Sequence, residues 1–168
     1  AQGDTFANVE NIVGSNLGDS LTGDAGVNAI DGGAGDDTLV GSAGADALTG
    51  GTGSDTADYS ASASAVTVDL GTGTGTGGDA QGDTLTGIEN LTGSANNDTL
   101  TGDANDNVLT GGVGDDILSG ASGADTLTGD AGDDTLVGGA GADALDGGAD
   151  TDTADYSASA AGVTVSLA

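Results

Sequence analysis

No lysine, arginine or histidine occurs among the 168 residues, which carry 26 Asp and two Glu (Glu10, Glu89), so the formal net charge is −28. No side chain can form a salt bridge, and like charges gathered on a compact body repel one another. Nucleic acid is excluded as a partner, because phosphate contacts need Lys or Arg. An anionic membrane surface is excluded by the sign of the charge. Cysteine is missing too, which removes disulfide staples and zinc thiolate sites. Without His, Cys or Lys the chain has no ordinary catalytic base or nucleophile, and it reads as a non-enzyme. Asp pairs such as Asp36 and Asp37 have the chemistry of an acid and a base, but their recurrence at fixed spacing favours ligation and solvent exposure.

Apolar bulk is scarce as well. With one Phe, two Tyr, no Trp and no Met, the hydrophobic content is mostly Ala, Val and Leu, and an ordinary large core is not available. High charge with few aromatics, together with 35 glycines that lose much backbone entropy on folding, predicts disorder in the absence of a ligand. There is no secretory signal segment and no apolar run of membrane-spanning length, so the chain reads as an interior piece of a longer one.

What the sequence does contain is repetition at two periods. The short period is nine. From Gly14 the chain reads GSNLGDSLT, GDAGVNAID, GGAGDDTLV, GSAGADALT and GGTGSDTAD, ending at Asp58. From Gly93 it reads GSANNDTLT, GDANDNVLT, GGVGDDILS, GASGADTLT, GDAGDDTLV, GGAGADALD and GGADTDTAD, ending at Asp155. A longer period encloses these. AQGDTFANVENIV at 1–13 recurs as AQGDTLTGIENLT at 80–92, and DYSASASAVTVDL at 58–70 recurs as DYSASAAGVTVSL at 155–167. The chain therefore divides into two superunits, 1–79 (spacer 1–13, nonapeptides 14–58, spacer 59–79) and 80–168 (spacer 80–92, nonapeptides 93–155, spacer 156–168), and its end reads as a cut in a longer array.

Positions seven to nine of each repeat alternate as a short strand. The predicted inward residues are Leu21, Ile30, Leu39 and Leu48, then Leu100, Leu109, Leu118, Leu127, Leu136 and Leu145. Each stabilises by roughly 1.5 to 3 kcal/mol when buried, whereas ordering a residue costs about 1 to 2 kcal/mol. One leucine per nine residues loses that contest. Positions one to six supply glycines that turn the chain and aim carbonyl oxygens, and a sixth-position Asp that adds a carboxylate. Such hard oxygens suit calcium; magnesium tolerates all-protein cages poorly, and a phosphate loop would need its lysine.

The nonapeptide resembles GGxGxDxUx, the repeat of the RTX (repeats-in-toxin, hemolysin-type) family, a match the handful of departures (Asn28 and Asn107 for Asp, Leu17 and Asn96 for Gly, Ala57 and Ala154 for Leu) leaves standing. The resemblance implies an all-β fold, a right-handed parallel β-roll in which two nonapeptides make one 18-residue coil and turns two repeats apart share an ion. The implied ligands are Asp19, Asn28, Asp37, Asp46, Asp55, Asp98, Asn107, Asp116, Asp125, Asp134, Asp143 and Asp152. Backbone carbonyls would come from turn residues such as Gly32, Gly35, Gly41, Gly44, Gly111, Gly114, Gly120, Gly123, Gly129, Gly132, Gly138 and Gly141. Asp4 and Asp83, in the spacers, are candidate additional ligands. Counting neighbours within stacks gives about eight calcium sites, which would lower the net charge from −28 to −12. Alternating Val66, Val68 and Leu70, and Val163, Val165 and Leu167, predict a longer spacer strand with Ile88 and Leu91 nearby, and Tyr59 and Tyr156 are expected to cap the thin core. The resemblance further implies a secreted bacterial protein, exported by type I secretion and folded by external calcium. Block plus spacer in tandem fits an adhesin stalk, surface layer or filament continuing head to tail, with a C-terminal secretion module of a secreted enzyme as the alternative.

Overall fold

The computed structural model describes residues 7–160 together with 162, 164 and 166. Asp4, Val163, Val165 and Leu167 lie outside the described residues. The chain forms two facing sheets and no α-helix among the described residues. The longer sheet holds, in spatial order, β1 (Asn11–Val13), β3 (Ala29–Ala34), β5 (Ala47–Thr52), β9 (Thr84–Thr86), β8 (Thr74–Thr76), β7 (Thr67–Asp69), β11 (Thr99–Thr101), β13 (Ile117–Ser119), β15 (Thr135–Val137) and β17 (Thr153–Ala154). The shorter one holds β2 (Ser20–Thr22), β4 (Thr38–Val40), β6 (Thr56–Asp58), β10 (Asn90–Thr92), β12 (Val108–Val113), β14 (Thr126–Ala131) and β16 (Ala144–Ala149).

Within the repeats, successive strands alternate between sheets, and each pairs in parallel with the strand one coil further on. Ile30 stands in register with Leu48, Leu21 with Leu39, and Leu109 with Leu127. The period of nine thus becomes a coil of 18 residues, a parallel β-solenoid, because odd and even repeats feed opposite sheets. Strands are longer than positions seven to nine alone where the following glycine turn also pairs, as Gly112 with Asp130 and Val113 with Ala131.

The core is a single file of aliphatic side chains between the sheets. Ile30, Leu39, Leu48, Leu100, Leu109, Leu118, Leu127 and Leu136 are buried, while Leu21 and Leu145 are only half-buried. A coil near either end has a neighbour on one side only, so an identical repeat buries less there.

Residues 59–89 interrupt the coil without breaking the sheets. After β6 the chain lays down β7 against the place β11 will occupy. It then reverses through β8, antiparallel to both β7 and β9, and regains the first block by setting β9 on β5 and β10 on β6. Three strands fill the longer sheet where one regular coil would put one. Val66 and Val68 are buried as their alternation predicts, and Leu70 is half-buried. Leu91 sits in the opposite sheet, between Ala57 and Leu109, where its bulk adjoins the one small residue in that column. Tyr59 is buried and its hydroxyl donates to Asp83 Oδ2 at 3.0 Å, whereas Tyr156 is 39% exposed.

Candidate metal centre

The sixth-position residue of every repeat stands immediately before a strand, so the parallel pairing stacks these residues into two ladders. Along the shorter sheet run Asp19, Asp37 and Asp55, then Glu89 from the spacer, then Asn107, Asp125 and Asp143. Along the longer sheet run Asn28, Asp46 and Asp83, and beyond β8 and β7, Asp98, Asp116, Asp134 and Asp152. One contact repeats up each ladder: the backbone N–H of one rung donates to Oδ1 of the next. It links Asp19 to Asp37 (2.7 Å), Asp37 to Asp55 (2.8 Å), Asp98 to Asp116 (2.7 Å), Asp116 to Asp134 (2.8 Å) and Asp125 to Asp143 (3.1 Å).

That bond occupies one oxygen and leaves the other. Oδ2 of Asp37, Asp46, Asp55, Asp116, Asp125 and Asp134 is buried and has no hydrogen-bond partner. A buried carboxylate oxygen without a donor is costly, and this chain has no cationic side chain to offer it. Glycine geometry shows where these oxygens point. A Cβ placed on Gly32 would meet Asp37 Oδ2 and the carbonyl of Gly50, both under 3.0 Å away. One on Gly120 would meet Asp125 Oδ2 and the Gly138 carbonyl, and one on Gly129 would meet Asp134 Oδ2 and the Gly147 carbonyl, again under 3.0 Å. Each of these three turns therefore brings a free carboxylate oxygen and a carbonyl of the next coil together around a spot that only glycine leaves open. The fourth-position glycines of these turns hold positive φ, 128° at Gly123, and a Cβ there would meet the carbonyl of Asn105 one coil back. Among the described residues no three acidic side chains converge. Each cradle pairs a carboxylate oxygen with a backbone carbonyl, and such hard oxygens are the ones calcium takes.

The ends of the ladders differ. Asp19 and Asp98 turn Oδ2 onto the N–H of their own second position, Ser15 and Ser94. Asn28 and Asn107 do the same with their amide oxygens, towards Asp24 and Asp103 at 2.8 Å. Asn107 also donates through Nδ2 to the Glu89 carbonyl at 2.9 Å, so an amide proton occupies the direction in which an ion would otherwise meet that carbonyl. Asp143 and Asp152 are half-exposed. Asp83 has both oxygens engaged, by the Asp46 N–H (2.8 Å) and by Tyr59.

Electrostatics record the same imbalance. Burial first, then repulsion from Asp98 and Asp134, raises the Asp116 carboxyl to about 6 against the lowering effect of the Asp98 N–H. Burial also raises Asp83 to about 6, opposed by the Asp46 N–H and Tyr59. Asp46, Asp55, Asp125 and Asp134 are raised, in each case chiefly by burial. The ion-free fold therefore disfavours its own charges.

Repeats that coil into a parallel solenoid, with carboxylate-lined glycine turns between coils, define an ion-binding β-roll. The family model for the RTX calcium-binding nonapeptide repeat (4 copies) matches residues 22–57, 77–118 and 119–154, more than half of the chain, and the chain belongs to that family. Its repeats imply calcium binding and are typical of secreted bacterial proteins. No curated protein matches the chain. The middle match spans Asp83 and Glu89. Glu89 stands nine residues before Asp98, in phase with the second block, but the stretch 84–92 lacks the glycine that opens a repeat, so a reading keyed to that glycine passes over it. Its sequence signals are that spacing and the recurrence of ENxxG at 10–14 and 89–93.

Proposed function

We propose that the chain is a calcium-folded structural segment of a secreted bacterial protein, forming a rod in an extracellular filament, adhesin stalk or surface layer. The observation that carries this reading is the set of six buried carboxylate oxygens with no partner in a chain devoid of cationic side chains. The ligands would be the rungs at Asp19, Asn28, Asp37, Asp46, Asp55, Asp98, Asn107, Asp116, Asp125, Asp134, Asp143 and Asp152 with their turn carbonyls, holding about eight ions. Each superunit, 1–79 and 80–168, would serve as a building unit joined head to tail. No catalytic role is assigned to it. In low calcium the chain stays unfolded and suited to threading through a secretion channel; millimolar calcium outside supplies the folding energy. Circular dichroism with and without a chelator tests the reading. Calcium should produce the β signal and the chelator abolish it; a β signal that survives calcium removal at neutral pH would sink the proposal.

A further inference from the structure

The two ladders cross residues 59–92 differently. On the longer sheet, Asp83 follows Asp46, but Tyr59 takes the oxygen that interior rungs leave free. The three nearest atoms to a Cβ on Gly41, the turn glycine of Asp46, are all of Asp46 itself, with no carbonyl from the next coil among them. That ladder closes at the spacer.

On the shorter sheet the pattern of an interior rung continues with spacer residues, Gly87 and Glu89, which lie outside the two nonapeptide blocks. The Asp55 N–H donates to Glu89 Oε2 at 2.9 Å, as Asp37 N–H does to Asp55. Asp55 is fully buried and its Oδ2 has no partner. A Cβ on Gly50 would meet Asp55 Oδ2 and the carbonyl of Gly87, each under 3.0 Å away, the same pair of oxygens found at Gly32 with Asp37 and Gly50. Glu89 lies nine residues before Asp98 and immediately before β10, whose Asn90 pairs with Val108, so spacing sets it at the rung as it sets the sixth-position residues. A cleft beside it is lined by Gly87, Glu89, Asp103 and Asn105, which gives an ion a polar approach.

We propose that Glu89, the Gly87 carbonyl and the free oxygen of Asp55 form a calcium site in the spacer, which carries the ion ladder of one sheet edge, and only one, from the first block of repeats toward the second. The inference rests on the calcium-folding reading above. Glu10, the counterpart of Glu89 in the longer period, is exposed, and only its backbone carbonyl pairs with β3. It serves as the internal control.

The test counts ions bound by the whole 168-residue chain at saturating calcium, by native mass spectrometry, for the wild type, Glu89→Gln and Glu10→Gln. Glu89→Gln keeps an oxygen for the Asp55 N–H and removes the charge. It should bind one ion fewer than wild type and fold with lower cooperativity in calcium, while Glu10→Gln keeps the wild-type count. An unchanged count in Glu89→Gln overturns the spacer site and leaves the general reading intact; a wild-type chain that takes up no calcium overturns both. Should Glu89→Gln fail to fold, the unaltered chain decides. With only two glutamates present, isotope-edited infrared of a chain labelled at the glutamate carboxyl shows both groups directly. One band displaced from the free-carboxylate position supports the site, and two free bands refute it.

Discussion

At the scale of single residues, position in the ladder matters more than identity. Asp116 and Asp152 occupy the same place in the repeat, yet Asp116 is buried with an orphaned oxygen between two charged neighbours, and Asp152 is a half-exposed end. Asp116→Ala should raise the calcium concentration needed for half-folding by tenfold or more, about 1.4 kcal/mol or above, and Asp152→Ala by clearly less; a calcium titration followed by circular dichroism compares them. The raised carboxyls make a second prediction. Asp116 and Asp83 titrate near 6 in the ion-free fold, above the unfolded value of about 3.9. A group raised on folding adds stability that is fully present below its unfolded value and lost as pH rises through the folded one. Calcium-free chain should therefore gain β structure as pH falls from 7 to 4. Over the same range protons compete with the ion, and the calcium requirement should rise. Equal disorder at both pH values without calcium would contradict the burial of these groups.

At the scale of elements, the repeat strands were legible and the spacer only in part. A leucine every nine residues, flanked by smaller or polar neighbours, specifies a short strand and its inward face, and Leu39, Leu109 and Leu127 obey it. What a repeat cannot encode is its place in the array, which is why Leu21 and Leu145 are less buried than identical letters elsewhere. The alternation of Val66 and Val68 was readable as a strand. The reversal through β8 was not, because Thr74, Gly75 and Thr76 lie in a run of Gly and Thr with no apolar period to fix a direction. The Tyr59 hydroxyl contact with Asp83 depends on that reversal. Tyr59→Phe would leave Asp83 Oδ2 buried without a donor, at a cost of about 1 to 3 kcal/mol. Thermal melting in saturating calcium should show the loss, with Tyr156→Phe, at an exposed position, close to wild type.

At the scale of the whole molecule, ten strands spaced about 4.8 Å apart make the longer sheet about 43 Å from its first strand to its last. An unfolded chain of 168 residues has a radius of gyration of about 43 Å. Small-angle X-ray scattering should record a contraction to less than half that value on adding calcium, and its return with chelator. A calcium-loaded chain that stays expanded would show that the ladders do not close.

The two facing sheets do not have the same number of courses. The doubling back through β8 sets two more strands into one wall than a regular coil would, about 10 Å of added height, while β6 and β10 in the opposite wall remain adjacent. The spacer thus acts as the wedge-shaped stone of an arch. In the proposed array such wedges would turn the axis at each spacer, and a fibre assembled from these units would follow a coil instead of a straight line.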